Sequence, residues 1–322
     1  MSLDLSFGGR LRIPLIVAPM FLVSSPQLAL AACSRGVMGS FPSHSTRSPE
    51  AFEAWLDQME AGIRQLEADG MAPAPYAVNL VVHPTNKRLQ ADLALCIEHE
   101  VSVLLTSKGA PNEVFEGIHD YGGVVFHDVA SPRHAEKALE AGADGLIAVC
   151  GGAGGHTGTI NPFALMNELR QLTDKPIVLA GGISTGRDIL TAQVMGADLA
   201  YMGTRFIAAQ ESLAPREYRE MVFDCSSKDV YLTAALDGAP TNFLAPSLVD
   251  AGLDLDELEI TRRGEVVAAD ATRARYSRIW SSGHGVGMVH ESVAAAQLCD
   301  EITAQYEAAN ARVRECILQP VT

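Results

Sequence analysis

Eight short apolar segments alternate with helix-like stretches between Pro14 and Phe206. Each has the length of a strand, and a polar or glycine-rich turn follows it. Strands that are apolar on both faces are typical of parallel sheets covered by helices. In chain order the segments are PLIVAPM, VMGSF, YAVNLVV, VSVLLTS, GVVFHDV, GLIAV, PIVLAGG and LAYMGT.

This alternation predicts a (β/α)8 TIM barrel, with an open doubly wound sheet as the alternative fold. Barrel active sites lie at the carboxyl ends of the strands, and here the glycine-rich turns are richest after the last three strands. A doubly wound nucleotide-binding sheet would carry G-x-G-x-x-G after an early strand, and no such motif follows the early strands of this sequence. The barrel is therefore the favoured prediction.

Ser48 and Ser131, each followed by proline, are predicted helix caps.

The alternation ends at Phe206, and this divides the chain into three parts. Residues 1–210 are predicted to form the barrel, and residues 211–275 a small, mostly helical insertion that covers the barrel mouth. Residues 276–322 are predicted to return through a glycine-rich turn and to end in an amphipathic helix from about Glu291 to Cys316, which packs on the barrel.

Composition limits the partners that such a chain can have. The net charge of -15 argues against nucleic acid or an anionic membrane as the main partner. No apolar run approaches the roughly 20 residues of a membrane span, and no targeting segment is evident. The six cysteines form no C-x-x-C pairs, so neither a metal site nor a disulfide framework is indicated. We expect a soluble cytoplasmic protein.

The segment CGGAGGHTGTIN, Cys150 to Asn161, places His156 among closely spaced glycines directly after the sixth strand. Glycine allows backbone N–H groups to approach a ligand, and a titratable side chain at such a turn indicates an active site. A lone histidine in a loop is by itself more often a surface or hydrogen-bonding residue. Here AGG after the seventh strand and MGT after the eighth repeat the pattern, which favours a phosphate-binding active site.

Six motifs in this order resemble those of the nitronate monooxygenase (2-nitropropane dioxygenase-like) family. They are APM after the first strand, VNL in the third, AGGH after the sixth, AGG after the seventh, MGTRF after the eighth and a late IWSSG. The resemblance covers most of the chain and implies an FMN-dependent oxidoreductase. The family includes enzymes that oxidise alkyl nitronates with O2, and relatives that use NAD(P)H to reduce quinones or enoyl thioesters.

The resemblance also implies a role for each matching residue. His156 would be catalytic, as a base at the α-carbon of a nitroalkane or as a group that stabilises the bound nitronate. The residues implied to bind the cofactor are Ala18, Pro19, Met20, Asn79, Gly154, Gly155, Gly181, Gly182, Gly203 and Thr204. The APM residues would flank the flavin ring, the AGGH glycines would line it, and the last four residues would bind the phosphate. Asn79 would contact the ring or the nearby phosphate region, or would only satisfy a buried strand end.

Three positions depart from the family pattern and leave the substrate and the electron donor open. Asp128 stands where some relatives have lysine, Val149 where some have an acidic residue, and His284 where many have glutamine. Three functions follow, in order of preference: a nitronate monooxygenase, an FMN-dependent NAD(P)H oxidoreductase, and a flavin-binding or merely barrel-shaped protein without catalysis. The expected partners are a small-molecule substrate and O2, with NAD(P)H and a homodimer left open.

Overall fold

The computed structural model describes residues 4–5, 7–109, 112–236, 238–260 and 278–318. Its main sheet has eight parallel strands, one from each predicted apolar segment. A further two-residue strand, β7 (Gly155–His156), lies between the sixth and seventh of these along the chain but belongs to a second sheet. The eight strands are β1 (Leu15–Val17), β2 (Ser40–Pro42), β3 (Ala77–Val81), β4 (Val103–Ser107), β5 (Val124–Val129), β6 (Gly145–Val149), β8 (Ile177–Ala180) and β9 (Leu199–Met202).

The eight strands close into a barrel. Their order is β1-β9-β8-β6-β5-β4-β3-β2, with parallel pairing throughout. The two ends of this series meet at a parallel bridge between Ile16 and Met38, where the Val17 N–H donates to the Met38 carbonyl at 2.8 Å. The predicted (β/α)8 barrel is confirmed, and the open doubly wound sheet is excluded because such a sheet has two free edges.

Helices follow the strands and cover the outside of the barrel. They are α1 (Pro26–Cys33), α2 (Pro49–Ala68), α3 (Leu89–Glu98), α4 (Asn112–His119), α5 (Pro132–Glu140), α6 (Pro162–Leu172) and α7 (Gly186–Val194). The predicted caps are confirmed: the Ser48 hydroxyl accepts from the Ala51 N–H, and the Ser131 hydroxyl accepts from the His134 N–H, both at 3.3 Å. In both helices a proline at the first position needs no hydrogen-bond partner for its nitrogen.

The eighth helix of the ring comes from the end of the chain. α11 (Ala295–Leu318) packs against α7 and α1, which confirms the predicted C-terminal helix. Gly186 permits this close packing, because a Cβ there would lie 2.1 Å from the backbone nitrogen of Tyr306. The Gly186 N–H donates to Gln305 Oε1 at 3.0 Å. The eighth strand and its helix are therefore separated in sequence by the insertion.

The insertion contains helices and also two strands that its sequence did not predict. Its described helices are α8 (Arg216–Asp224), α9 (Ala245–Asp250) and α10 (Leu255–Ile260), and its described strands are β10 (Val230–Thr233) and β11 (Thr241–Leu244). β10 and β11 form an antiparallel pair, and β11 also pairs with β7, which joins the insertion to the loop after β6. Residues 261–277, which include the end of the predicted insertion, lie outside the described residues.

The inside of the barrel is filled by apolar side chains. Alternate residues of each strand point inward, and the buried members of the interior cluster are Ile16, Met38, Ala77, Val103, Leu105, Phe126, Ile147, Val178, Ala180 and Leu199. Two residues beyond Ala77, Phe126 and Leu199, the same faces present Asn79, Asp128 and Tyr201, closer to the carboxyl ends of the strands. The barrel interior is thus apolar toward the amino ends of the strands and polar toward their carboxyl ends, at the mouth.

Candidate active site

The short strand β7 determines the position of His156. Its backbone pairs with Thr241 of β11, and the neighbouring Gly155 pairs with Asn242. Asn242 also donates from its side-chain amide to the Ala153 carbonyl at 2.7 Å. The histidine side chain is exposed at the carboxyl end of the barrel. A hairpin of the insertion therefore holds the predicted catalytic residue in place.

Lys108 contacts this histidine. Its Nζ lies 3.1 Å from His156 Nε2. An ammonium group only donates hydrogen bonds, so Nε2 accepts in this pair and the imidazole proton lies on Nδ1. Lys108 was not among the predicted site residues, because the family pattern has its lysine after the fifth strand. The available signal was its place directly after the fourth strand, where barrel active-site residues occur.

The loops after β1 and β2 form an apolar rim near this pair. The rings of Phe21 and His44 stack with their centroids 5.2 Å apart, and the Leu22 N–H donates to Ser45 Oγ at 3.1 Å. Phe21 is 56% exposed and Leu22 is 51% exposed. Burial lowers the pKa of His44, and the nearby charge of Lys108 also lowers it, so the His44 ring is neutral at pH 7.

The predicted APM and MGT residues lie together. A Cβ on Gly203 would be 3.4 Å from both Ala18 Cβ and Met20 Sδ. Thr204, the next residue, accepts at its hydroxyl oxygen a hydrogen bond of 3.0 Å from the Gly283 N–H. The hydroxyl hydrogen of Thr204 can still be donated to a ligand.

The return segment, residues 282–285, completes the glycine-rich surface. A Cβ on Gly154 would lie 2.7 Å from the Gly283 nitrogen, and the His284 N–H donates to the Gly152 carbonyl at 2.9 Å. The His284 side chain is exposed beside Gly152. Gly283 is the last residue of the IWSSG motif, but the motif gave it no role of its own.

Gly181 and Gly182 form an open cradle after β8. Their φ angles of 138° and 72° lie in the region that favours glycine, and a Cβ on Gly182 would meet no heavy atom within 4 Å. Among the described residues, no acceptor takes a hydrogen bond from the N–H of Gly182 or Gly203. Open space with unpaired N–H donors fits an anionic group such as a phosphate.

Asn79 and Asp128 lie at the inner mouth of the barrel. The Asn79 amide donates to the Leu105 carbonyl at 2.9 Å, which satisfies part of its side chain within the sheet. Its contact with a cofactor stays a prediction. Asp128 Oδ1 is buried and has no hydrogen-bond partner among the described residues, and burial raises the pKa of this carboxyl to about 7. Burial and the nearby Asp128 also raise the pKa of Tyr201.

Two other residues singled out in the sequence have structural roles. His127 is buried outside the barrel interior, with Nδ1 2.8 Å from Thr106 Oγ1, and burial lowers its pKa to about 4. The Cys150 thiol is buried, and burial raises its pKa to about 12, which makes it a poor nucleophile.

Within the described ranges, no helix is long and apolar enough to cross a membrane, and no group of His, Cys, Asp and Glu side chains could hold a metal ion.

Fold and site together define a (β/α)8 barrel with its glycine-rich and ionisable groups at the carboxyl ends of the strands, where barrel enzymes have their active sites. The family model for nitronate monooxygenase matches residues 84–305. The chain therefore belongs to the nitronate monooxygenase family, which confirms the resemblance seen in its motifs.

Individual relatives differ in what their names describe. A nitronate monooxygenase of Paraburkholderia phytofirmans is 26% identical over 277 residues, with 75% of this chain and 76% of that protein covered. A 5-hydroxy-7a-methyl-1-oxo-octahydro-1H-indene-4-carboxyl-CoA dehydrogenase of Rhodococcus jostii is 27% identical over 238 residues, which cover 74% of this chain and 64% of the relative. FabK from Thermotoga maritima shares the fold, with a TM-score of 0.79, 24% identity and coverage of 98% and 99% of the two chains.

Proposed function

We propose that this protein is an FMN-dependent nitronate monooxygenase, which converts an alkyl nitronate and O2 into a carbonyl compound and nitrite. The observation that carries the proposal is the contact of 3.1 Å between His156 and Lys108 at the barrel mouth. A nitronate is a carbon acid that has lost its proton, and its two oxygens share a negative charge. A base can form the nitronate by removing the proton from the α-carbon, and a cation beside it can bind the negative charge of the nitronate.

The glycine-rich loops support the cofactor part of the proposal. Gly181, Gly182 and Gly203 would donate N–H groups to the FMN phosphate, and Thr204 would donate its hydroxyl. The wall formed by Ala18 and Met20 would flank the ring. Bound FMN supplies the electron transfer between the nitronate and molecular oxygen.

His156 would act on the substrate proton. Its imidazole would take the proton from the α-carbon of a neutral nitroalkane, or would stay neutral beside a nitronate that arrives already ionised. The hairpin that holds β7 restricts the backbone at this residue, which keeps the ring at the mouth. His156→Asn retains a polar side chain but removes the base.

The test is spectroscopic and anaerobic. The purified protein is examined for the yellow absorbance of bound FMN and is then mixed separately with NADH, NADPH and preformed propyl-1-nitronate. We expect the nitronate alone to bleach the flavin. In a separate assay with O2 present, we expect His156→Asn to retain FMN but to turn over a nitroalkane about a hundredfold more slowly. Full activity of this variant would contradict the role of His156, and a protein that takes up no FMN would contradict the flavoenzyme assignment.

An FMN-dependent NAD(P)H oxidoreductase is the second candidate. It is favoured by the dehydrogenase of Rhodococcus jostii, whose name describes a CoA thioester as substrate. Bleaching by a pyridine nucleotide, with no response to the nitronate, would establish this alternative. The cytoplasmic location and the homodimer stay predictions.

A further inference from the structure

The backbone at Lys108 has a conformation that residues with a side chain rarely adopt. Its φ is 62°, and it is followed by Gly109 at φ 133°. A Cβ on Gly109 would lie 3.1 Å from the Val82 carbonyl, so the turn is packed against the end of β3. Strained residues of this kind persist where the surrounding structure fixes them, and they cluster at ligand sites.

Lys108 carries its positive charge at the barrel mouth, beside His156. His156 Nε2 lies within hydrogen-bond distance of its ammonium group, and among the described residues no carboxylate forms an ion pair with it. The neighbouring His44 ring is neutral. In a chain with a net charge of -15, the mouth therefore presents a cation that has no carboxylate partner in the described part of the chain.

An apolar surface lies next to this cation. His44 is close enough to Lys108 to feel its charge, and Phe21 stacks on His44. Phe21 and Leu22 expose about half of their surface, and Leu22 holds φ 57° in this loop. A ligand with its negative group at Lys108 could place a hydrocarbon chain of a few carbons against this rim.

We propose that Lys108 binds the negatively charged group of the substrate and that Phe21 and Leu22 bind its hydrocarbon part, so that the site selects small organic monoanions. The identity of that anion as a nitronate rests on the proposed function. Binding of an anion by Lys108 does not depend on that identity, because it requires only the positive charge of Lys108.

The experiment uses butanoate, whose carboxylate is planar with two oxygens like a nitronate but is not oxidised, and butanamide as its uncharged counterpart. Their dissociation constants are measured by calorimetry on the wild-type holoenzyme and on Lys108→Met, Lys108→Arg and Phe21→Ser. Lys137→Met is the matched control, because Lys137 is exposed on α5 on the outside of the barrel.

We expect Lys108→Met to weaken butanoate binding by at least about tenfold, the loss of one charge-assisted hydrogen bond, and to leave butanamide binding unchanged. Lys108→Arg should retain most of the butanoate affinity, which excludes misfolding as the cause. Phe21→Ser should weaken both ligands, and Lys137→Met neither.

Two outcomes would overturn the inference: no measurable butanoate binding by the wild type, or equal butanoate affinity in Lys108→Met. Either result together with nitronate oxidation by the wild type would leave the proposed function intact. Butanoate binding that depends on Lys108, in a protein that does not oxidise nitronates, would support the inference and reject the proposed function.

Discussion

Asp128→Asn tests whether the barrel mouth holds a carboxyl group that is costly to ionise. Oδ1 of Asp128 is buried without a described partner, and burial raises the pKa of the carboxyl from 3.8 to about 7. At about 1.4 kcal/mol for each tenfold change in proton affinity, ionisation costs roughly 4 kcal/mol more in the folded protein than in the unfolded chain. The residue as a whole is only half-buried, so water at the mouth reduces this cost, and we expect about 2 kcal/mol.

The direction of the pH dependence follows from proton binding. Between about pH 4 and pH 7 the folded protein holds a proton on Asp128 that the unfolded chain has already lost. The contribution of this carboxyl to the free energy of unfolding therefore falls as the pH rises through that window, and the loss is complete above about pH 7. Asparagine has no proton to lose and shows no such fall.

The assay is urea unfolding of the wild type and Asp128→Asn at pH 4, 6 and 8, with Asp57→Asn on the exposed face of α2 as a control. The two proteins should be about equally stable at pH 4, and Asp128→Asn should be more stable by about 2 kcal/mol at pH 8. The Asp57 variant should follow the wild type at every pH. A difference between wild type and Asp128→Asn that is the same at pH 4 and pH 8 would refute the reasoning.

Two glycine substitutions test the binding surface. Gly182→Ala places a methyl group in the open cradle, so the dissociation constant of FMN should rise at least about tenfold, as for the loss of a charge-assisted hydrogen bond. Gly70→Ala is the control, because Gly70 follows α2 with a φ of 80° and equally open surroundings; it should leave FMN binding unchanged. Unaltered FMN affinity in Gly182→Ala would show that this loop does not bind the phosphate. Gly154→Ala places its Cβ 2.7 Å from the Gly283 nitrogen. This overpacking should lower the free energy of unfolding, measured by urea titration, by about 1–3 kcal/mol. Wild-type stability of the variant would show that the return segment does not pack against Gly154.

The sequence alone determined the barrel and the places of its glycine-rich loops. Uninterrupted apolar segments mark strands covered on both faces, and serine followed by proline marks a helix start, because both signals depend on residues close together in the chain. The same holds for Gly181 and Gly182, whose positive φ angles require glycine at those positions. These features could therefore be predicted residue by residue.

Only the tertiary structure decided what surrounds His156. Lys108 meets it from 48 positions away, and β11 of the insertion holds β7, a strand of two residues with no pattern of its own. α11 takes the place of the eighth helix although a long insertion precedes it. Contacts of this kind depend on how separate elements pack. The place of Lys108 directly after a strand marks it as a candidate, but only the closed barrel shows that it meets His156.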